Sequence, residues 1–149
     1  MKELATVYEG FEFRCYAKIS HDDRGSESSV ILAEIVSVLQ QKGYAMTKAK
    51  PANPGVAIST CKLEDGCGID VYIWPSDASG DHTAFMMVAM SGMYSPRDAG
   101  AGRIRIVNAW SEIAAIGERV VSEVFSAGDF RRLSGDEIDA RSRSERASR

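Results

Sequence analysis

Two segments of this sequence alternate between apolar and polar residues, and this period of two constrains the fold more than any other feature. Between Phe11 and Ile19 the odd-numbered residues are apolar, whereas the even-numbered ones include Arg14, Tyr16 and Lys18. Successive side chains of a strand point to opposite faces, so this pattern predicts a half-buried strand. The second alternation, over residues 67–74, predicts another strand, whose polar face carries Asp70, Tyr72 and Trp74.

Apolar residues at helical spacing predict two helices. The first is expected over residues 27–42, with Gly43 as its C-terminal cap. The second is expected over residues 104–126 and is ended by Gly128. An alternative makes Arg103–Val107 a further short strand, with Asn108 capping a helix that starts at residue 109.

Three strands are expected between the helices, over residues 56–62, 67–74 and 83–91. The connection at 47–55 contains two prolines and is predicted to be irregular. A two-residue turn at Asp65-Gly66 would join the first two of these strands.

That turn predicts the register of the hairpin. It pairs Thr60 with Val71, and it places Cys61 opposite Asp70 on the outer face of the sheet. A longer loop would pair Ser59 with Val71 instead, and the first register is preferred because it aligns apolar residues with apolar residues.

The predicted fold class is therefore α+β, with an antiparallel sheet of about four strands, two main helices packed on one face and the order β-α-β-β-β-α. Residues 1–130 are expected to form a single domain. Residues 131–149 contain many arginines and acids but little apolar surface, which predicts a mobile, charged tail. Removing residues 134–149 is then expected to change the stability very little.

Composition narrows the function classes. A net charge of −3 argues against general nucleic-acid binding, because neutralising phosphates requires an excess of basic residues. No apolar run is long enough for a membrane span or a signal peptide. The three cysteines form no ligand or disulfide spacing, which indicates reduced thiols. A cytoplasmic location is the interpretation that follows.

The sequence contains three candidate sites for chemistry, and each is weak. Cys61, Asp70 and His82 could form a hydrolytic triad, but the predicted register separates His82 from Asp70 by about 13 Å at ~3.3 Å per residue. The run His21-Asp22-Asp23 precedes a helix and is typical of a solvated loop rather than a metal site. The run 100–103 could cradle a phosphate but lacks a phosphate-binding spacing. The sequence therefore leans against an enzyme and predicts no cofactor.

The outer face of the predicted sheet is the preferred functional surface, because aromatic and charged residues are enriched in protein interfaces. This pattern predicts a non-catalytic module that binds another protein or a second copy of itself, as an inhibitor, immunity protein, adaptor or secretion chaperone does. The alternative is a small-molecule-binding protein or small enzyme with a pocket between the sheet and the long helix. The expected binding residues are Arg14, Tyr16, Lys18, Asp70, Tyr72, Trp74 and Met86.

Overall fold

The computed structural model describes residues 3–4, 8–16, 27–53, 56–62, 68–75, 84–91, 93–94, 99–138 and 140. Within these residues the chain forms nine strands and two long helices. They are β1 (Glu3–Leu4), β2 (Tyr8–Cys15), α1 (Glu27–Gln41), β3 (Ala45–Met46), β4 (Lys50–Asn53), β5 (Val56–Lys62), β6 (Gly68–Pro75), β7 (Ala84–Ser91), β8 (Met93–Tyr94), α2 (Ala99–Phe125) and β9 (Ala127–Leu133).

The predicted α+β class is confirmed. The four expected strands are β2, β5, β6 and β7, which lie side by side in the order β5-β6-β7-β2 with antiparallel pairing. Both long helices pack on one face of this sheet and share a single core with it. α1 ends where predicted, because Gly43 has a φ of 98° and so turns the chain through the left-handed region.

The sheet is wider than predicted, since short strands extend it on both sides. β3 and β4 both pair with β5, and β9 pairs with β2 at the opposite edge. The prediction of an irregular connection was therefore wrong for Lys50–Asn53. Pro51 is compatible with β4 because an edge strand does not need every backbone N–H for pairing.

The register between β5 and β6 differs from the predicted one by one residue. Ser59 pairs with Val71, and Thr60 pairs with Asp70. This is the register that the sequence analysis set aside, because the other one aligns apolar residues with apolar residues. The observed register turns Ser59 toward the core. The buried Ser59 hydroxyl donates to the carbonyl oxygen of Thr47 at 2.6 Å, so the burial of this polar group is compensated.

The corrected register changes the position of Cys61. Cys61 pairs with Ile69 and is fully buried on the inner face, not exposed opposite Asp70. Burial raises the pKa of its thiol. Cys61 is therefore a small apolar core residue.

Helix α2 is continuous and starts earlier than predicted. Its span from Ala99 to Phe125 excludes the alternative strand at Arg103–Val107. It also ends before Gly128, because Ser126 has a φ of 51° and breaks the helical path. Near this end of the helix, the aliphatic side chain of Val124 is 51% exposed.

The predicted domain boundary at residue 130 falls inside β9. Residues 131–133 complete this strand, and residues 135–138 form one turn of helix. Residues 131–133, which the sequence analysis placed in the tail, thus pair with β2 at the edge of the sheet, whereas the mobility of the tail stays a prediction. Of the remaining tail, only residue 140 belongs to the described part.

The core between the sheet and the helices is closely packed at the crossing of α2. A Cβ atom at Gly117 would lie 2.7 Å from the Sδ atom of Met87 on β7. The absence of a side chain at Gly117 therefore lets α2 approach the sheet. Trp110 and Ile113 on the same helix are also buried in this layer.

Candidate functional site

The two faces of the sheet have different surroundings. Among the described side chains, the odd-numbered ones of residues 11–15, 57–61, 69–73 and 85–87 are buried, and Phe13 and Val71 belong to the core that the sheet shares with the helices. Glu12 and Arg14 of β2 and Asp70, Tyr72 and Trp74 of β6 lie on the opposite, outer face and are half-buried. The predicted binding surface corresponds to this outer face.

Tyr72 and Trp74 form the aromatic centre of the outer face. They occupy alternate positions of β6, and their ring centroids are 6.1 Å apart with an interplanar angle of 65°. This edge-to-face geometry is favourable for aromatic pairs. Both residues are only half-buried. We call this pair the aromatic pair.

The aromatic pair is not open, because apolar side chains from the end of the chain pack against it. Leu133 and Ile138 form a second, smaller core cluster with Tyr72 and Trp74 on the outer face. Ile138 is 0% exposed. A residue that was assigned to a mobile tail is thus one of the most deeply buried side chains.

Residues 134–138, which we call the C-terminal turn, carry Ile138 to this position. Their conformation is set by a capping box. The Glu137 N–H donates to Ser134 Oγ at 3.1 Å, and the Ser134 N–H donates to Glu137 Oε1 at 3.3 Å. The Ile138 N–H donates to the Ser134 carbonyl oxygen at 3.1 Å, which closes the turn.

A chain of charges connects the C-terminal turn to the sheet. Arg131 on β9 contacts Glu12 of β2 at 3.2 Å and Glu137 of the turn at 3.0 Å. The hydrogen bond from the Ser134 amide and the contact with Arg131 hold the pKa of the Glu137 carboxyl below its ordinary value. Glu137 is thus both a helix-capping and an ion-pairing residue.

The indole N–H of Trp74 is buried but has no hydrogen-bond acceptor in the described part of the chain. Buried indole donors usually find an acceptor. The aliphatic side chains of Leu133 and Ile138 cannot provide one. The site therefore contains a buried N–H donor without an acceptor in the described residues, next to an apolar surface that Leu133 and Ile138 cover.

The structure distributes the other predicted binding residues around this centre. Asp70 accepts a hydrogen bond from the Thr60 hydroxyl at 2.8 Å, and Arg14 is half-buried on β2. Tyr16 is 63% exposed at the end of β2, where its hydroxyl donates to Asp129. Asp70 lies on β6 two residues before Tyr72, and Tyr16 lies beside β9 at the edge of the sheet.

The side chains of two expected binding residues, Lys18 and Met86, are not among those that the structure describes. Lys18 lies outside the described residues. Met86 lies opposite Trp74 in the β6–β7 register and opposite Glu12 in the β2–β7 register, but its side chain is not among those described.

The weak alternatives for chemistry receive no support. Cys61 and Asp70 lie on opposite faces of the sheet, so they cannot belong to one triad, and His82 lies outside the described residues. The run 21–23 is also outside them. Residues 100–103 belong to α2, so they do not form a loop in front of the helix that could cradle a phosphate.

Four residues that contact this surface or the turn that covers it were not among the predicted binding residues: Glu12, Arg131, Leu133 and Ile138. The available signal is the spacing of Ser134 and Glu137, which is typical of a capping box at the start of a helix. An aliphatic residue directly after that box indicates an anchor. Its target on the sheet could not be derived from local sequence.

Two further properties of the described residues concern metal ions and membranes. They contain no group of three or more histidine, cysteine, aspartate or glutamate side chains that could hold a metal ion. No helix among them is long and apolar enough to span a bilayer. Comparison with known proteins finds no family model that matches this chain and no curated protein sequence that matches it.

Proposed function

We propose that this chain is a non-catalytic protein-binding module, of the inhibitor, immunity, adaptor or secretion-chaperone type, and that it binds through the outer face of its sheet. The anchors are Tyr72 and Trp74, with Arg14 and Asp70 as polar neighbours. The partner is another protein or a second copy of this chain. Large aromatic side chains at the centre of a polar surround are the common anchors of protein interfaces.

One observation carries this proposal: the aromatic pair already binds aliphatic side chains of a peptide segment. Leu133 and Ile138 pack on Tyr72 and Trp74 within the same chain. The surface therefore has the shape and polarity to accept a peptide. The half-burial of both rings leaves part of their area for further contact.

The alternative of a small-molecule pocket between the sheet and α2 has less support. At Gly117 the described part of α2 lies close to β7, since a Cβ atom there would be 2.7 Å from the Sδ atom of Met87. A binding pocket for a small molecule requires a concave cavity of some hundred cubic ångströms.

We further propose a cytoplasmic location. Cys15 and Cys61 are both buried and unbonded. Such thiols are typical of reducing compartments.

Site-specific photocrosslinking in the source cell tests the binding surface. A benzophenone amino acid is placed at position 74 of the full chain, and a matched probe is placed at Ser122, which is exposed on α2. We expect a discrete adduct from position 74 that Tyr72→Ala abolishes. An adduct with twice the mass of the chain would identify a second copy as the partner. Equal adducts from both positions, or none from position 74, would refute the proposed surface.

A further inference from the structure

The C-terminal turn occupies the centre of the proposed binding surface, so a partner must either bind around it or replace it. Ile138 covers the aromatic pair together with Leu133. Leu133 belongs to β9 and is held by its pairing with Gly10. Ile138 belongs to the turn beyond the last strand. Replacement of the turn therefore requires no change in the sheet.

The contacts that hold the turn are few. One turn of helix has no stability of its own, because helix formation requires several hydrogen-bonded residues. The ion pair between Arg131 and Glu137 is solvated, since the two side chains are 52% and 44% exposed. Exposed ion pairs contribute little to stability. Ile138 is thus the main anchor of the turn.

The turn also leaves one hydrogen-bond donor of the site without an acceptor in the described part of the chain. The buried indole N–H of Trp74 has no acceptor in the described residues while Ile138 is in place. A ligand that brings a carbonyl or carboxylate oxygen to this donor would gain a hydrogen bond that the turn does not make. This difference favours an external ligand over the internal one.

From these observations we infer that the C-terminal turn is a displaceable internal ligand, and that the partner presents an acidic peptide segment with a branched aliphatic residue next to a carboxylate. The aliphatic side chain replaces Ile138 on the aromatic pair. The carboxylate replaces Glu137 at Arg131. A backbone or side-chain oxygen of the partner accepts the indole N–H of Trp74. This inference rests on the proposed function, whose surface it uses.

A peptide titration tests the inference on the full chain. The probe is an acetylated peptide with the sequence of residues 134–140, added to ¹⁵N-labelled protein while the indole N–H resonances are recorded. Trp74→Phe assigns the Trp74 resonance. The titration is repeated with Ile138→Asp, which removes the internal anchor, and with Ala140→Asp, which adds the same charge at an exposed position of the same segment.

We expect the peptide to shift the Trp74 resonance and to bind the Ile138→Asp chain at least about tenfold more tightly than the original chain, because the internal ligand no longer competes. The Ala140→Asp chain should bind like the original chain. A peptide in which the isoleucine is replaced by aspartate should not shift the resonance. Equal affinity for all three chains would overturn the inference.

A second variant allows the same test if the Ile138→Asp chain does not fold. The double substitution Ser134→Ala with Glu137→Ala removes the capping box but leaves every core side chain in place, and it should also tighten peptide binding. If the peptide fails to bind either variant while position 74 still crosslinks to a partner, the inference is wrong and the proposed function stands. If crosslinking at position 74 fails as well, both are wrong.

Discussion

Leu133 lies directly opposite Gly10 in the ladder between β9 and β2. Gly10 in turn lies opposite Val88, and Val88 lies opposite Tyr72, so one row of residues crosses four strands from the edge to the aromatic pair. This row explains how the end of the chain reaches the centre of the outer face. The C-terminal turn follows Leu133, and its residue Ile138 packs against the aromatic pair.

Ile138 should be a stability determinant despite its position near the end of the chain. Ile138→Ala should lower the free energy of unfolding by about 2 kcal/mol or more, because a fully buried aliphatic side chain is lost. The matched control is Val124→Ala, whose side chain is largely exposed and whose loss should cost less than about 0.5 kcal/mol. Urea denaturation of both variants measures the difference. Equal, small losses would mean that the turn does not dock in solution.

Tyr72→Ala combined with Trp74→Ala should release the C-terminal turn and abolish partner binding. The side chains that Leu133 and Ile138 pack against would be gone, so amide exchange at Glu137 and Ile138 should accelerate while the amides of β6 remain protected. Truncating aromatic anchors commonly costs ~2 kcal/mol of binding, or roughly thirtyfold in affinity. Hydrogen exchange with mass spectrometry reports on the turn. Loss of protection throughout the sheet would show that the pair is needed for folding.

Docking of the turn should weaken in acid. The Glu137 carboxylate is stabilised by Ser134 and Arg131, so its pKa in the folded chain is lower than the ordinary value of 4.5. A lowered pKa contributes stability that is complete above the ordinary value and is lost as the pH falls through the lowered value. The Trp74 indole resonance should report this loss in an acid titration. Glu137→Gln should remove that pH dependence, whereas Glu34→Gln on the exposed face of α1 should retain it.

The cysteine thiols should be free but slow to react. Burial, followed by the charge of Glu27, raises the pKa of Cys15 to about 12, and burial also raises the pKa of Cys61. Because the thiolate is the reactive form, alkylation of both residues at neutral pH should require unfolding. Denatured, unreduced protein should titrate as three free thiols, the number of cysteines in the chain. A count of one would reveal a disulfide.

Gly117 should tolerate no large side chain. Gly117→Leu should destabilise the fold by about 1–3 kcal/mol, since the new side chain would force Met87 out of its buried position. Ala115→Leu on the exposed face of α2 is the control, because it adds a similar side chain without meeting the sheet. Thermal unfolding compares the two. A stable Gly117→Leu variant would mean that α2 can move away from the sheet.

The local patterns of the sequence predicted the elements that are regular over many residues. The helical spacing before Gly43 predicted α1, and the alternation of residues 67–74 predicted β6 and the separation of its two faces. These patterns are local because the periods of 3.6 and 2 follow from backbone geometry alone. The identity of Tyr72 and Trp74 as an outward-facing pair followed from the same alternation.

The tertiary structure decided the features that depend on residues far apart in the chain. The register of Ser59 with Val71 was settled by a hydrogen bond to Thr47, which no turn pattern reveals. β9 has little apolar periodicity, and it is a strand because it pairs with β2 more than 100 residues earlier, as Gly10 and Leu133 show. Ile138 looked like an isolated aliphatic residue in a charged tail. It is buried because the sheet brings the aromatic pair to it, and burial of apolar surface depends on what the whole fold places nearby rather than on neighbouring residues.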